Sequence, residues 1–501
     1  MVSETSPAAS HCHDAVVVGA GFGGMGACIA LRHRGLDDIV VVEREDDLGG
    51  TWHVNRYPGL AVDIPSATYS YSFAPNPRWS RLYAPGAELK QYALDVADRF
   101  DLRRLMRFST RAEWARWDDE AACWVVGLHT GEELRARYLL TATGFLSQPK
   151  LPAIEGIESF AGTLVHTTRW RDDLDLRGRR VAVIGTGATA VQLVPELADV
   201  AEHLTVFQRT PIWVTPKLDA RIPRPLQRLY ARVPATQRVA RSIGSAVLEA
   251  VMVLGVLQYR RMSWLNRGAE RLALRHLRRQ VPDPVTREQL TPDYSFGCKR
   301  PTFSNTYYPT FARDHVALES DPIERVESDA IVTRSGTRHE IDTLVLATGF
   351  DLWETNFPAL PITGVDGRDL GAYWRAERFQ AYQGVSVPGF PNLFSLNSPY
   401  SYSGLSYFTT IESQMRHIER VVAAAQESGA RTVEVRAEAN ARFLERMRER
   451  VADSVFERGA CATSRSYYFN QHGEATLLRP TSTLNAFHEA STFPLEDYRI
   501  A

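Results

Sequence analysis

The sequence has little net charge and little cysteine. Its 58 lysines and arginines nearly balance 59 acids, leaving -1. That excludes a nucleic-acid or anionic-membrane binder acting through bulk charge, though local basic patches stay possible. The five cysteines, Cys12, Cys28, Cys123, Cys298 and Cys461, are scattered and form no CxxC pair. This points to a reducing, cytoplasmic setting and away from a disulfide framework, a cysteine-rich zinc site or a dithiol reductase. Residues 1–14 lack the basic start and apolar run of a signal peptide. His11 and His13 flank Cys12 but are expected in a disordered tail, not at a metal. No stable membrane span is expected either. Ile243 to Leu257 is the most apolar stretch, but it is short for a span and contains Glu249. It reads as a buried or substrate-facing helix, with a membrane-contacting patch as the alternative.

The 44% of hydrophobic residues in 501 supports a large core and two to four domains as a soft expectation. The N-terminal part reads strand, glycine loop, helix, strand, acid. Ala15 to Val18 is followed by Gly19, Gly21 and Gly24, a helix over Met25 to Arg34, a strand over Ile39 to Val42, and Glu43. Glycines let the backbone approach a diphosphate, the helix start offers free N–H groups, and Glu43 can accept from ribose hydroxyls. A second unit repeats the pattern. A strand over Arg180 to Val183 and Ile184 precedes Gly185, Thr186, Gly187, Ala188, Thr189 and Ala190, and a second strand spans Leu204 to Gln208. Here Arg209 stands where the acid is expected, with Thr210 beside it. An acid would repel a 2′-phosphate, whereas Arg pairs with it, so this unit should take NADPH.

The loop from Gly49 to Asp63, including Gly50, Thr51 and Trp52, reads as backbone wrapped around a flat ligand. Ala87 to Phe100 reads as a helix, Trp114 to Leu128 and Leu134 to Thr141 as a meander. Two strands end alike, at Ala142-Thr-Gly-Phe145 and at Ala347-Thr-Gly-Phe350, which suggests two similar domains returning to a cofactor. Pro216 to Val281 reads as a helical insert, with the basic face of Arg271 to Gln280 as a solvated surface. Ser406 to Gln426 and Ala437 to Val451 read as helices, and the last fifty residues as an irregular cover.

Together these residues resemble the Baeyer–Villiger monooxygenases of the class B flavoproteins, from about residue 14 to the C-terminus. One family signature matches at Phe160, Gly162, His166 and Trp170. A second matches at Gly49, Gly50, Trp52, Tyr57, Pro58, Gly59 and Asp63. Lys299 and Arg300 before Pro301 form a third. The chain departs from the family pattern at Arg171, in the loop Asn397 to Gly404, and at Tyr467, where relatives often carry Trp.

The resemblance implies an α/β fold with two Rossmann-like dinucleotide-binding domains. FAD would occupy 1–148 and 385–501, NADPH 149–215 and 291–384, and the helical insertion 216–290. It implies FAD, reduced by NADPH, reacting with O2 to a peroxyflavin that converts a ketone to an ester or lactone. Arg300 would supply a fixed positive charge, with Asp63 holding it. Lys299 would meet the NADPH 2′-phosphate, Trp52 and Tyr69 would line the flavin site, and His166 would position a hinge rather than act as a base. The ketone pocket is expected from Tyr400 to Tyr407, the Tyr467 region and parts of the insert. Oxygenation of nitrogen or sulfur, and NADPH oxidation without oxygenation, remain alternatives. The sequence names neither the ketone nor the oligomeric state.

Overall fold

The computed structural model describes residues 11–402 and 406–501. The first sheet begins with β1 (Cys12–Val18), β2 (Ile39–Val42), β3 (Met106–Arg107), β4 (Ala112–Asp118), β5 (Cys123–Leu128) and β6 (Glu133–Thr141). The second is built on β7 (Thr163–His166), β8 (Arg180–Ile184) and β9 (His203–Phe207). A two-stranded ribbon, β10 (Val214–Thr215) with β11 (Thr302–Phe303), follows. The second sheet is completed by β12 (Val316–Glu319) and, after a three-stranded flap of β13 (Ile323–Val326), β14 (Ala330–Thr333) and β15 (Arg338–Glu340), by β16 (Thr343–Leu346). Its order is β12-β9-β8-β16-β7, all parallel.

The chain then returns to the first sheet through β17 (Ile362–Thr363), which pairs with β4, and β18 (Leu393–Ser395), which pairs with β6. The first sheet is thus rejoined at Ile362, ahead of residue 385. Its centre is parallel, with β1 between β2 and β6. Alternate residues explain the continuous apolar runs: Val17, Val41 and Leu140 enter one core, and Val16, Val40 and Leu139 enter another. A sheet buried on both faces needs no polar side.

In β1–β2 lies α1 (Phe22–His33), in the following loops α2 (Thr51–Val54) and α3 (Gly86–Arg99), and after β8 α4 (Ala188–Ala198). The run predicted from Trp114 splits into the β4–β5 hairpin at residues 119–122. The insert is α5 (Arg224–Arg232), α6 (Pro234–Ala250), a π-helical segment Val251–Leu257, and α7 (Tyr259–Gln280). Residues 216–223 are not helical.

Four further expectations change. The stretch from Ile243 is not buried along its length: Ile243 is 62% exposed and Val247 58%, while Val256 and Leu257 are covered. A continuous apolar run does not reveal which part a neighbour covers. His11 and His13 do not lie in a tail. Both bond to the Asp38 carboxylate, at 2.7 and 2.8 Å, beside the start of β1; residues 1–10 lie outside the described residues. The last fifty residues are not irregular throughout: they include a helix over Thr483–Thr492 and β-strand Tyr498–Ile500, which pairs with Val433–Val435.

The fourth concerns cysteine. Cys298 and Cys461 form a disulfide across 163 residues, against the expectation of none. No local spacing marks such a pair, because only the fold brings the two segments together. Cys12, Cys28 and Cys123 are free. Denatured protein without reductant should therefore titrate three thiols, and five after reduction; five in both samples would show the bridge absent.

Candidate functional site

Two glycine loops begin the site. Gly19 has φ +106°, and a Cβ there would lie 2.6 Å from the Ala142 carbonyl oxygen. Gly185 has φ +119°, and its Cβ would lie 2.4 Å from the Ala347 carbonyl oxygen. Each loop is thus backed by the alanine of its own Ala-Thr-Gly-Phe strand end, so the repeat seen in the sequence serves one geometric purpose twice. Gly21 and Gly187 are the N-caps of α1 and α4, and no side chain caps either helix. Uncapped N–H groups at a helix start suit a diphosphate.

Around the first loop, Glu43 directly follows β2 and accepts from the Ala20 N–H at 2.7 Å and the Glu45 N–H at 3.0 Å. It is buried beside the loop that Gly19, Gly21 and Gly24 form. A Cβ on Gly21 would stand 3.6 Å from the Gly50 Cα, so two small residues face each other there. Thr51 opens α2, and the Trp52 indole donates to the Tyr69 hydroxyl at 3.1 Å. Burial pushes the Tyr69 phenol well up, keeping it protonated. The helix Tyr407–Ser428 starts against α1: the Phe22 and Phe408 rings lie 4.6 Å apart. Its N-terminal dipole end therefore faces the first nucleotide site.

The loop Gly49–Asp63 does more than wrap one ligand. Its second half docks on α4 of the other unit. Gln192 accepts from the Tyr57 hydroxyl at 3.2 Å and donates to the Ala61 carbonyl at 2.9 Å. The loop thus ties the two nucleotide units together and ends at Asp63.

At the second unit, Thr186 donates its hydroxyl to the Thr210 carbonyl at 2.7 Å. Ala188 and Thr189 form the first turn of α4, and Tyr57 bonds to Thr189. Arg209 and Lys299 share a cationic corner. Burial, then the charge of Arg209, pushes the Lys299 ammonium down to about 8. Arg209 is itself lowered by burial and by Arg465. None of these three cations forms an ion pair among the described residues. Three uncompensated cations make an anion site. Arg465 has no sequence motif. It lies in an irregular loop with φ +45°, and only its approach to Arg209 reveals it.

Arg300 lies where the units meet. Its Nε and Nη2 donate to Asp63 at 2.7 and 2.9 Å, a bidentate pair, and its Nη1 donates to the Tyr402 hydroxyl at 3.2 Å. Burial alone would lower the guanidinium, but Asp63 and the tyrosines Tyr402, Tyr468 and Tyr467 outweigh it and raise it well above its ordinary value. It stays charged at any working pH. Tyr467 is pushed up to about 12, by burial first. Its carbonyl accepts from the Trp353 indole at 2.9 Å, which fixes that loop. Phe145, from the first Ala-Thr-Gly-Phe end, lies 5.7 Å from the Tyr402 ring and 6.2 Å from the Tyr407 ring. Part of the expected pocket stretch, residues 403–405, lies outside the described residues.

The signature from Phe160 to Trp170 is structural in its contacts. A Cβ on Gly162 would meet the Asp342 carbonyl oxygen and the Phe160 ring, each at 2.5 Å, so this edge of the sheet admits only glycine. His166 ends β7 and caps the next turn: its Nδ1 accepts from the Thr168 N–H at 3.2 Å. Burial holds its imidazole below the ordinary value, against a backbone contact at Gly349. His166 also pairs with Leu346 of β16, which links the signature to the strand that leads into the second Ala-Thr-Gly-Phe end. Trp170 packs on the core of the second unit. The departing Arg171 is exposed and, among the described residues, pairs only with exposed Asp173, at 3.4 Å.

Residues 13–233 match the family described as pyridine nucleotide-disulphide oxidoreductase. The cysteines in that span, Cys28 and Cys123, are both free and form no CxxC pair. A protein of Streptomyces coelicolor called Baeyer-Villiger monooxygenase is 37% identical over 97% of this chain and 92% of its own length. One from Pseudomonas aeruginosa with the same name is 35% identical over 94% and 88%. A solved structure of oxidized steroid monooxygenase bound to NADP superposes with a TM-score of 0.85 at 33% identity, covering 98% of this chain and 99% of that one.

Proposed function

The chain belongs to the Baeyer–Villiger monooxygenases, and on that premise we propose that Arg300, held by Asp63, carries the charge on which oxygen transfer depends. The protein is an FAD-containing, NADPH- and O2-dependent monooxygenase that places one oxygen atom beside a ketone carbonyl, giving an ester or lactone. Bound FAD, reduced by NADPH, supplies the activated oxygen.

The residues fit both nucleotides. Gly19, Gly21, Gly24 and the uncapped start of α1 would hold the FAD diphosphate, Glu43 the ribose, and Gly50, Thr51, Trp52 and Tyr69 the ring side of the site. Gly185, Thr186, Gly187, Ala188 and Thr189 would hold the NADPH diphosphate, with Arg209, Thr210, Lys299 and Arg465 on the 2′-phosphate. The first sheet would form the FAD domain and the second the NADPH domain. Phe160, Gly162, His166 and Trp170 would set the joint between them.

The observation that carries the reading is the Arg300–Asp63–Tyr402 contact. A guanidinium has five N–H groups. The three contacts leave two for an oxygen anion. Tyr402 is then a positioning residue. Tyr402→Phe should lower ketone kcat about 3- to 10-fold, the scale of one lost hydrogen bond, and leave anaerobic flavin reduction by NADPH unchanged. An unaltered kcat would remove Tyr402 from this role.

The substrate class is a small-molecule ketone, and Phe145, Tyr407 and Tyr467 would meet it. A gas-chromatographic screen of linear, cyclic and aromatic ketones beside sulfides tests it. Esters or lactones are expected. Sulfoxides alone would favour heteroatom oxygenation instead.

A further inference from the structure

We propose that the outer face of the helical insert is a docking surface for an anionic lipid bilayer, on which the protein lies without spanning it. The face is apolar. Val239, Ile243, Val247 and Val251 are 59%, 62%, 58% and 53% exposed, and they follow one another at four-residue steps along α6 and into the π-helical segment. The exposed positions between them are Ser242, Ala246 and Ala250, all uncharged. Trp264, at the start of α7, is also largely exposed, as are Leu229 and Val233.

The opposite side of α6 is fastened to the protein. Gln237 donates to the Asn76 carbonyl at 2.6 Å, and Arg241 to the Ser70 carbonyl at 2.6 Å. Leu248 packs on the core under α1. Glu249 accepts from the Thr483 N–H and hydroxyl, at 2.6 and 2.7 Å. The 24-residue helical run Pro234–Leu257 has an 18-residue window of mean hydropathy 1.7, of which 11% is buried, so its length and composition would suffice for a span. Its inner-face bonds rule that out, because crossing a bilayer would strip polar partners from both sides of the helix. A helix held on one side and apolar on the other lies in an interface.

Charge selects the occupant. Residues 224–280 hold twelve arginines against Glu249 and Glu270, a formal +10 in a chain of net -1. Both acids are engaged inside, Glu270 by the Phe296 N–H at 3.0 Å. Of the arginines, Arg241 lies near Glu412 and Arg260 pairs with Asp453. The other ten are exposed and form no ion pair among the described residues. A second copy of the insert would bring a formal +10 against +10, which disfavours a symmetric dimer through it. Anionic headgroups supply the missing sign, and Trp at the rim suits the headgroup level.

The test is sedimentation of the holoenzyme with sucrose-loaded vesicles. One set contains equal phosphatidylglycerol and phosphatidylcholine, the other phosphatidylcholine alone. The protein should sediment with the anionic vesicles at low salt, stay largely free of the neutral ones, and be released at high salt. Ile243→Asp with Val247→Asp should reduce partitioning about tenfold or more, while activity on a water-soluble ketone and FAD content stay near wild type. Arg228→Gln with Arg232→Gln should weaken it without touching the apolar face. If the wild type fails to sediment with anionic vesicles, or the Asp variant sediments equally well, the proposal is wrong. It is also wrong if the wild type self-associates in solution and the Asp variant does not, since the face would then join copies of the chain.

Discussion

Arg300→Ala should abolish ester formation while NADPH still reduces the flavin under anaerobic conditions. Oxygen insertion beside a carbonyl builds negative charge on oxygen twice, first on the oxygen delivered and then on the carbonyl oxygen under attack. A cation fixed in a partly buried site stabilises that charge without reorganising. Arg300 meets the requirement in three ways. Its charge cannot be lost by titration. Asp63 grips Nε and Nη2, so the guanidinium plane is set before substrate arrives. Its side chain is 21% exposed, so water screens it only in part. Hydride transfer to the flavin requires none of this charge.

Loss of such a group typically costs about 10²–10³ in kcat. The variant should fall at least that far in ketone turnover and remain within about twofold in stopped-flow reduction. NADPH consumed in air would then appear as hydrogen peroxide. Arg300→Lys should lie between, since a lysine keeps the charge but cannot form the bidentate pair with Asp63. If reduction fell together with oxygenation, Arg300 would belong to nucleotide binding.

The second large effect is in coenzyme choice. Arg209→Ala should raise the KM for NADPH about 10- to 100-fold, the scale of one or two charge-assisted hydrogen bonds, and change that for NADH little. The corner should also be pH-sensitive. The Lys299 ammonium, pushed down to about 8, is charged below that value and neutral above it. A charged lysine binds the 2′-phosphate and a neutral one does not. kcat/KM for NADPH should therefore fall as pH rises through about 8, while kcat/KM for NADH stays flatter. Lys299→Met should remove that difference. Equal effects of Arg209→Ala on both coenzymes would remove the case for phosphate recognition.

The parts of this site that the sequence shows are those whose function constrains neighbouring residues. The glycines of both loops, Glu43 and the arginine at 209 all sit at fixed offsets from a strand end, because a diphosphate and a ribose fix those distances. Asp63 and Arg300 are 237 residues apart, and they are paired in the sequence only because each lies in a recognisable family motif. Arg465 carries no such motif. Its role depends on a tertiary approach to Arg209, which no local pattern encodes. The Cys298–Cys461 bridge escaped for the same reason. The apolar run at Ile243 escaped differently: periodicity tells that residues are apolar, not whether a neighbour covers them. The docking of Tyr57 and Ala61 on Gln192 is likewise invisible in the sequence, where the loop reads as serving a single ligand.

The most direct measurement is turnover of a cyclic ketone under ¹⁸O2, with NADPH, lactone and hydrogen peroxide quantified together. One ¹⁸O atom should appear in each lactone, in the ring oxygen, with one NADPH consumed per product. NADPH consumption that yields hydrogen peroxide and no labelled lactone, across ketones of every shape tried, would contradict oxygen transfer at Arg300.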